Sequence, residues 1–227
     1  MNRFMALLLG VAVLSLPPAT DAASWTEGVQ YARIIPAQPT TVASGKVEVL
    51  EVFSYGCPAC NAFQPVVEQL RHALPANAQL AFLPAAFNPA EDWPMFQRAF
   101  LAAQALGIAE RTHQAMYDAV WKSGELAIVV PGTNRLKAPL PSIADAARFY
   151  ERVGGVNTQQ FLAMANSFGT DNKMRAADAQ LLAMHVDSTP TLVVNGRYRV
   201  VRSELKSNDE LIELIKYLVA RESGAAR

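Results

Sequence analysis

The chain has 227 residues, 51% of them hydrophobic, enough to bury one good core or one core with an appended lobe. Its 20 acidic and 20 basic residues balance, which excludes the basic surface of a nucleic-acid binder and a polybasic membrane patch. With only 2 cysteines, it depends on no disulfide framework for its fold.

The N-terminus reads as an export signal. Arg3 supplies a positive n-region, Phe4 to Leu16 an apolar run, and Pro17 and Pro18 break it. Thr20 and Ala22 put small residues at −3 and −1 of a cut after Ala22, so residues 1–22 are expected to be a cleavable signal peptide. The apolar run is shorter than the about 20 residues a transmembrane helix needs. The mature chain is then expected to be soluble and exported, in a compartment where disulfides persist.

A first strand is expected over Val29 to Ile35, closed by Pro36 and Pro39. Val47 to Phe53 is a second strand, rich in β-branched and aromatic residues. The chain turns at Ser54-Tyr55-Gly56 and leaves as a helix with Phe63, Val66, Val67, Leu70 and Leu74 at helical spacing. Pro65 inside that helix should kink it. Leu80 to Leu83 gives a third strand, so the unit is a right-handed parallel βαβ crossover. From Pro89 helix follows helix: Ala90 to Leu106, Ala109 to Trp121, one capped by Ser142 and stopped at Gly154-Gly155, one capped by Asn157 and carrying Phe161, Leu162 and Phe168, and one capped by Thr170. Between them, residues 124–141 read as a Pro- and Gly-rich loop with a short extended piece at Leu126 to Val130. Thr191 to Val194 and Arg197 to Val201 then flank Asn195-Gly196, a strong hairpin signal. A last helix starts at Ser207, with Glu210 completing a capping box. The order is an α/β domain in two parts, residues 24–88 and 186–223, with an all-helical insertion over 89–185.

Both cysteines, Cys57 and Cys60, fall at the seam between the second strand and its helix. A helix start presents free N–H groups and a partial positive charge, and both favour thiolate over thiol. A Cys-x-x-Cys pair there can form, transfer and reform a disulfide. A structural disulfide closing so short a loop removes little chain entropy. A zinc site needs four ligands, and His72, His113 and His185 are scattered. The reading that results is a redox enzyme without metal or cofactor beyond the cysteine pair.

This order, with Cys57-Pro58-Ala59-Cys60 after the second strand and Thr189-Pro190 before the hairpin, resembles the thioredoxin fold with a helical insertion. It is similar to the DsbA family of exported thiol:disulfide oxidoreductases, and the resemblance runs from Gly28-Val29-Gln30-Tyr31 to Thr189-Pro190-Thr191-Leu192-Val193-Val194-Asn195-Gly196-Arg197-Tyr198. The resemblance implies a monomeric, periplasmic donor of disulfides to unfolded or reduced exported proteins, reoxidised by a DsbB-type membrane quinone reductase. It implies no nucleic-acid partner.

On that footing Cys57, first in the helix, is the attacking thiolate, and Cys60, more buried, resolves the mixed disulfide. Pro58 and Ala59 form the active-site dipeptide. Pro190 matches the family's cis-proline, which leaves the Thr189 backbone free to pair with an extended peptide. Glu51 shares a strand face with Val47, Val49 and Phe53, so its carboxyl should be partly buried and its pKa raised. Family members carry an acid there, and its expected role is proton exchange with Cys60; the alternative is a carboxylate at a strand end reaching water. Ala59 stands where some members have histidine, and Pro65 resembles thioredoxin's kinked helix. Both point to a milder oxidant, with Cys57 at roughly 4.5 to 6.5 against about 8.5 for a free thiol. Reductase or isomerase action on the same fold, or a peptide-binding, chaperone-like module with a structural disulfide, are the competing readings.

Overall fold

Seven consecutive residues, Val47–Phe53, form the strand around which the molecule is built, and every one of them is buried. In the computed structural model the described residues are 25–224, so the signal peptide expected over 1–22 lies outside them. This strand, β2, lies inside the sheet, one strand in from an edge: the five strands run β1 (Tyr31–Arg33), β5 (Tyr198–Val200), β4 (Thr191–Val194), β2, β3 (Ala78–Pro84). β2 lies parallel to β3, with Glu51 opposite Phe82, and antiparallel to β4, with Glu51 opposite Leu192. A strand covered on both faces has no need of alternating polarity, which is why β2 reads as a continuous apolar run interrupted only by Glu48 and Glu51.

Helix α1 (Pro58–Ala73) makes the parallel crossover between β2 and β3, and α7 (Asn208–Glu222) packs beside it. Between β3 and β4 the chain builds α2 (Trp93–Ala105), α3 (Ala109–Trp121), α4 (Ile143–Gly154), α5 (Thr158–Ala165) and α6 (Phe168–Ala183). One continuous apolar cluster joins Val49 and Phe53 of β2 to Phe63 and Leu70 of α1, Leu214 of α7, and Phe96, Phe100, Tyr117 and Phe149 of the inserted helices. The opposite face of β2, Leu50 and Val52, packs with Ala177, Leu181 and Met184 at the end of α6. The insertion therefore covers both faces of the central strand. Among the described residues no helix is long and apolar enough to cross a membrane.

Several boundaries differ from those expected from sequence, each for a local reason. β1 covers only Tyr31–Arg33, because the N–H groups of Val29 and Gln30 turn back to the Thr26 carbonyl. The expected 90–106 helix is divided: Pro89–Glu91 is a short 3-10 turn, Asp92 takes a left-handed φ of 56°, and α2 starts at Trp93 with Pro94 in its first turn. α6 is capped by Ser167 and not Thr170; the Ser167 side chain accepts from the Thr170 N–H, and the Thr170 hydroxyl donates to the Met164 carbonyl. Phe168 thus opens α6, at 75% exposure, and does not belong to α5. At Ser207 the hydroxyl does accept from the Glu210 N–H, but the Glu210 carboxylate takes the Lys206 N–H, so the box is closed one residue early. In the 124–141 loop the only regular pairing is a bridge between Val129 and Leu136.

Candidate active site

Cys57 is the N-cap of α1, with Pro58 the first helical residue. Its sulfur accepts from the Cys60 backbone N–H at 3.3 Å, the place a Ser or Asp oxygen holds in an ordinary cap. Pro58 and Ala59 are exposed, whereas Cys60 is wholly buried, and both cysteines are free thiols. The first turn of α1 carries no acid to oppose a negative sulfur. The Cys60 thiol, the Thr189 side chain, and the Cys60 and Ala59 N–H groups together hold Cys57 down at about 6, against the cost of its burial. Cys60 goes the other way: burial, then the hydrogen bond and charge of Cys57, push its thiol far up. One sulfur is built to be a thiolate and the other to keep its proton.

Thr189 and Pro190 reach this pair from across the sheet. The Cys57 sulfur lies 3.6 Å from the Thr189 carbonyl oxygen, and the Thr189–Pro190 peptide is cis. Beside Pro190 a cleft of about 250 Å³ runs over Phe63, Leu192 and Leu211, with Arg199 and Arg202 on its walls.

Glu51 is not at a strand end in water, nor only partly buried; it has no exposure at all. Neither carboxyl oxygen has a hydrogen-bond partner among the described residues, and its cross-strand neighbours are the apolar Phe82 and Leu192. Burial first, then the charge of Cys57, push it up to about 8, with Arg71 pulling weakly down.

Sequence reasoning missed what the helical insertion does here. Trp121 of α3 donates its ring N–H to the Tyr55 carbonyl at 2.9 Å, and the Tyr55 hydroxyl lies 2.9 Å from Nδ1 of the buried His113 on the same helix. The Trp93 indole occupies the space beside Gly56: a Cβ there would meet its Nε1 at 2.6 Å and its Cδ1 at 2.7 Å. The absent side chain at position 56 admits an indole. Two of the chain's 3 tryptophans thus clamp the Ser54 to Cys57 turn, and their placement in the inserted segment was the available clue. Gly56→Ala should cost about 1–3 kcal/mol by overpacking against this rigid ring, read as a lower urea midpoint at unchanged slope.

A thioredoxin family model matches residues 42–216. The thiol:disulfide interchange protein DsbA of Pseudomonas aeruginosa is 31% identical over 227 residues, covering 100% of this chain and 99% of that one. The chain belongs to the DsbA family of thiol:disulfide interchange proteins. DsbA of Azotobacter vinelandii is 27% identical, covering 97% of this chain and 96% of its own. Among solved structures, DsbA of Xylella fastidiosa superposes with a TM-score of 0.74 at 32% identity, over 88% of this chain and 98% of that one. DsbA of Pseudomonas aeruginosa gives 0.72 at 31%, over 89% and 96%. The fold is the thioredoxin fold with a helical insertion, and this DsbA-family chain is a thiol:disulfide oxidoreductase.

Proposed function

We propose that the protein is a periplasmic oxidase that introduces disulfides into reduced, folding exported proteins, with Cys57–Cys60 as its redox centre and no other cofactor. A substrate thiolate attacks Sγ of Cys57; the Cys57–Cys60 bond breaks, and Cys60 leaves and takes the Glu51 proton. A second substrate thiolate then attacks the substrate sulfur of the mixed disulfide, and Cys57 departs as a thiolate. The substrate has lost two electrons and the enzyme has gained them. A DsbB-type membrane quinone reductase is the reoxidising partner that family membership suggests. The observation that carries this reading is the contrast between the two sulfurs, since a Cys57 held down at about 6 is a good leaving group and Cys60 is not.

Thr189 offers backbone to an extended substrate, Pro190 borders the cleft in which that chain continues, and Pro58 and Ala59 form its exposed approach. The protein acts as a monomer, in which residues 24–88 and 186–223 carry the chemistry and 89–185 support it. Oxidation of a reduced model peptide, run against reduction of insulin, tests the direction. Faster oxidation together with a more oxidising potential than thioredoxin's about −270 mV is expected; faster insulin reduction with a potential at or below that value would replace the oxidase reading by a reductase. A reductase is the second reading, favoured by Ala59, which offers no side-chain donor to the thiolate. Titration of thiolate absorbance in the reduced protein should give a midpoint near 6, retained in Cys60→Ser to within about one unit. A midpoint near the free-thiol value of about 8.5 would remove the basis for the leaving-group argument.

A further inference from the structure

Among the described residues seven buried side-chain polar atoms lack partners, and most belong to the aromatic interior behind the cysteines. Besides single oxygens of Glu48 and Gln97, they are both oxygens of Glu51, Nε2 of His113, and the hydroxyls of Tyr117 and Tyr150. Native interiors leave few such groups, and each calls for an account. Glu51, His113 and Tyr117 share one aromatic layer. The Phe53 ring, two residues along the strand from Glu51, lies 4.9 Å from the His113 ring and 6.3 Å from that of Tyr117. The Phe82 ring, directly across from Glu51, lies 4.4 Å from His113. The Tyr55 ring is 5.0 Å from Tyr117 and 5.2 Å from His113. His113 and Tyr117 are one turn apart on α3, on the face turned to the sheet.

A carboxylate can only accept hydrogen bonds, whereas a tyrosine hydroxyl can donate one. Glu51 therefore lacks donors in the same sealed layer where Tyr117 lacks an acceptor. We propose that Tyr117 is a positioning residue for the redox reaction: its hydroxyl, through a water held in this layer, donates to Glu51 and sets the pH at which Glu51 gives up its proton. The Tyr55–His113 pair forms the wall that keeps Tyr117 in place. The charges of Glu51, Cys60 and Cys57 all act on the Tyr117 phenol, so it stands within reach of every titrating group of the site. The titratable groups around Glu51 and Tyr117 are Cys57 and Cys60 at the start of α1, Arg71 at its end, Tyr55 of the turn and His113 of α3, with Tyr150 of α4 behind Tyr55. Burial holds His113 down at about 3, so it stays neutral at working pH, and Arg71 is the one cation among them. β3, β4 and α7 present only apolar side chains, Phe82, Leu192 and Leu214 among them.

This inference rests on the reading of Glu51 as the proton partner of Cys60, and the experiment separates the two. The whole protein is converted to its Cys57–glutathione mixed disulfide, and glutathione release by Cys60 is followed across pH. In that step Cys60 gives its proton to the Glu51 carboxylate and attacks Sγ of Cys57, and glutathione leaves as a thiolate. The rate should rise with ionisation of Glu51, and Glu51→Gln should lose that rise. Tyr117→Phe, which removes one donor, should move the midpoint up by about half a pH unit or more, making Glu51 about threefold weaker as an acid. In the Glu51→Gln background Tyr117→Phe should change the profile no further. An unmoved midpoint in Tyr117→Phe, with the rise still lost in Glu51→Gln, overturns the role of Tyr117 alone. A profile unchanged by Glu51→Gln overturns both. An infrared measurement needs no Tyr117 variant: the protonated Glu51 carboxyl band, recognised by its loss in Glu51→Gln, should lie where a hydrogen-bonded acid absorbs. A band at the position of an isolated carboxyl overturns the proposal.

Discussion

Cys57→Ser is expected to lose disulfide exchange down to the uncatalysed rate, whereas Cys60→Ser is expected to keep the attack and stall. The chain has no third thiol to substitute for either. With Cys57 gone, the remaining Cys60 is wholly buried and its pKa is pushed far up, so it supplies almost no thiolate at neutral pH. With Cys60 gone, Cys57 still caps α1 and still receives the N–H of residue 60, because that bond comes from the backbone. Reduced Cys60→Ser should therefore attack a substrate disulfide and remain joined to it, visible by mass spectrometry as an adduct that dithiothreitol releases. Adducts on Cys57→Ser and none on Cys60→Ser would reverse the two roles.

Glu51→Leu is expected to stabilise the protein by on the order of 3 kcal/mol more at pH 7 than below pH about 4.5. The folded protein holds the Glu51 proton up to about 8, against a usual 4.5, so ionisation is harder folded than unfolded. The resulting cost is absent below 4.5, grows by about 1.4 kcal/mol per pH unit up to 8, and is constant above. Cys57 has the opposite sign: its folded value of about 6 lies below its usual 9.0, so its contribution is complete above 9 and lost as pH falls through 6. In the reduced protein Cys57 opposes Glu51 between pH 6 and 8, and His113, held down at about 3 against its usual 6.5, opposes it between 4.5 and 6. Stability should therefore stay nearly level across both windows. In Glu51→Leu it should rise with pH in both. Urea titrations at pH 4.5, 6, 7 and 8 would show it, and equal slopes in both proteins would mean that the carboxyl is solvated after all. Part of the Glu51 rise comes from the Cys57 charge, so the gain should be smaller once the disulfide is formed.

The order of strands and helices was legible because each signal is local. The β-branched run of β2, the Asn195-Gly196 turn, where both residues take positive φ, and the Ser142 and Asn157 caps need only their neighbours. Boundaries failed where two capping residues lay close together, as with Ser167 and Thr170, or where a proline fits only inside a first turn, as with Pro94. The cysteine pair was visible from spacing, and the direction of the Glu51 shift from strand alternation. Its full burial was not, because the cover comes from α3, more than fifty positions along. Sequence separation likewise hid Trp93, Trp121, His113 and Tyr117. No periodicity in the sequence says which of many aromatic residues in a helical segment will meet a turn elsewhere.

The sheet places β2 between a neighbour made soon after it and one made much later. On the ribosome β3 follows β2 at once, but β4, which covers the other edge of β2, is translated after the whole helical insertion. Thr189 comes 132 residues behind Cys57, roughly 7 to 26 s at usual elongation rates of 5–20 residues per second. Throughout that interval the wholly buried strand β2 has an open edge, a template for wrong pairing. Over the same interval Cys57 lacks one of the groups that lower its pKa, so the nascent thiol is the less reactive one. The reactivity of the sulfur is thus tied to completion of the chain: the enzyme comes to full strength only when its last forty residues have closed the sheet.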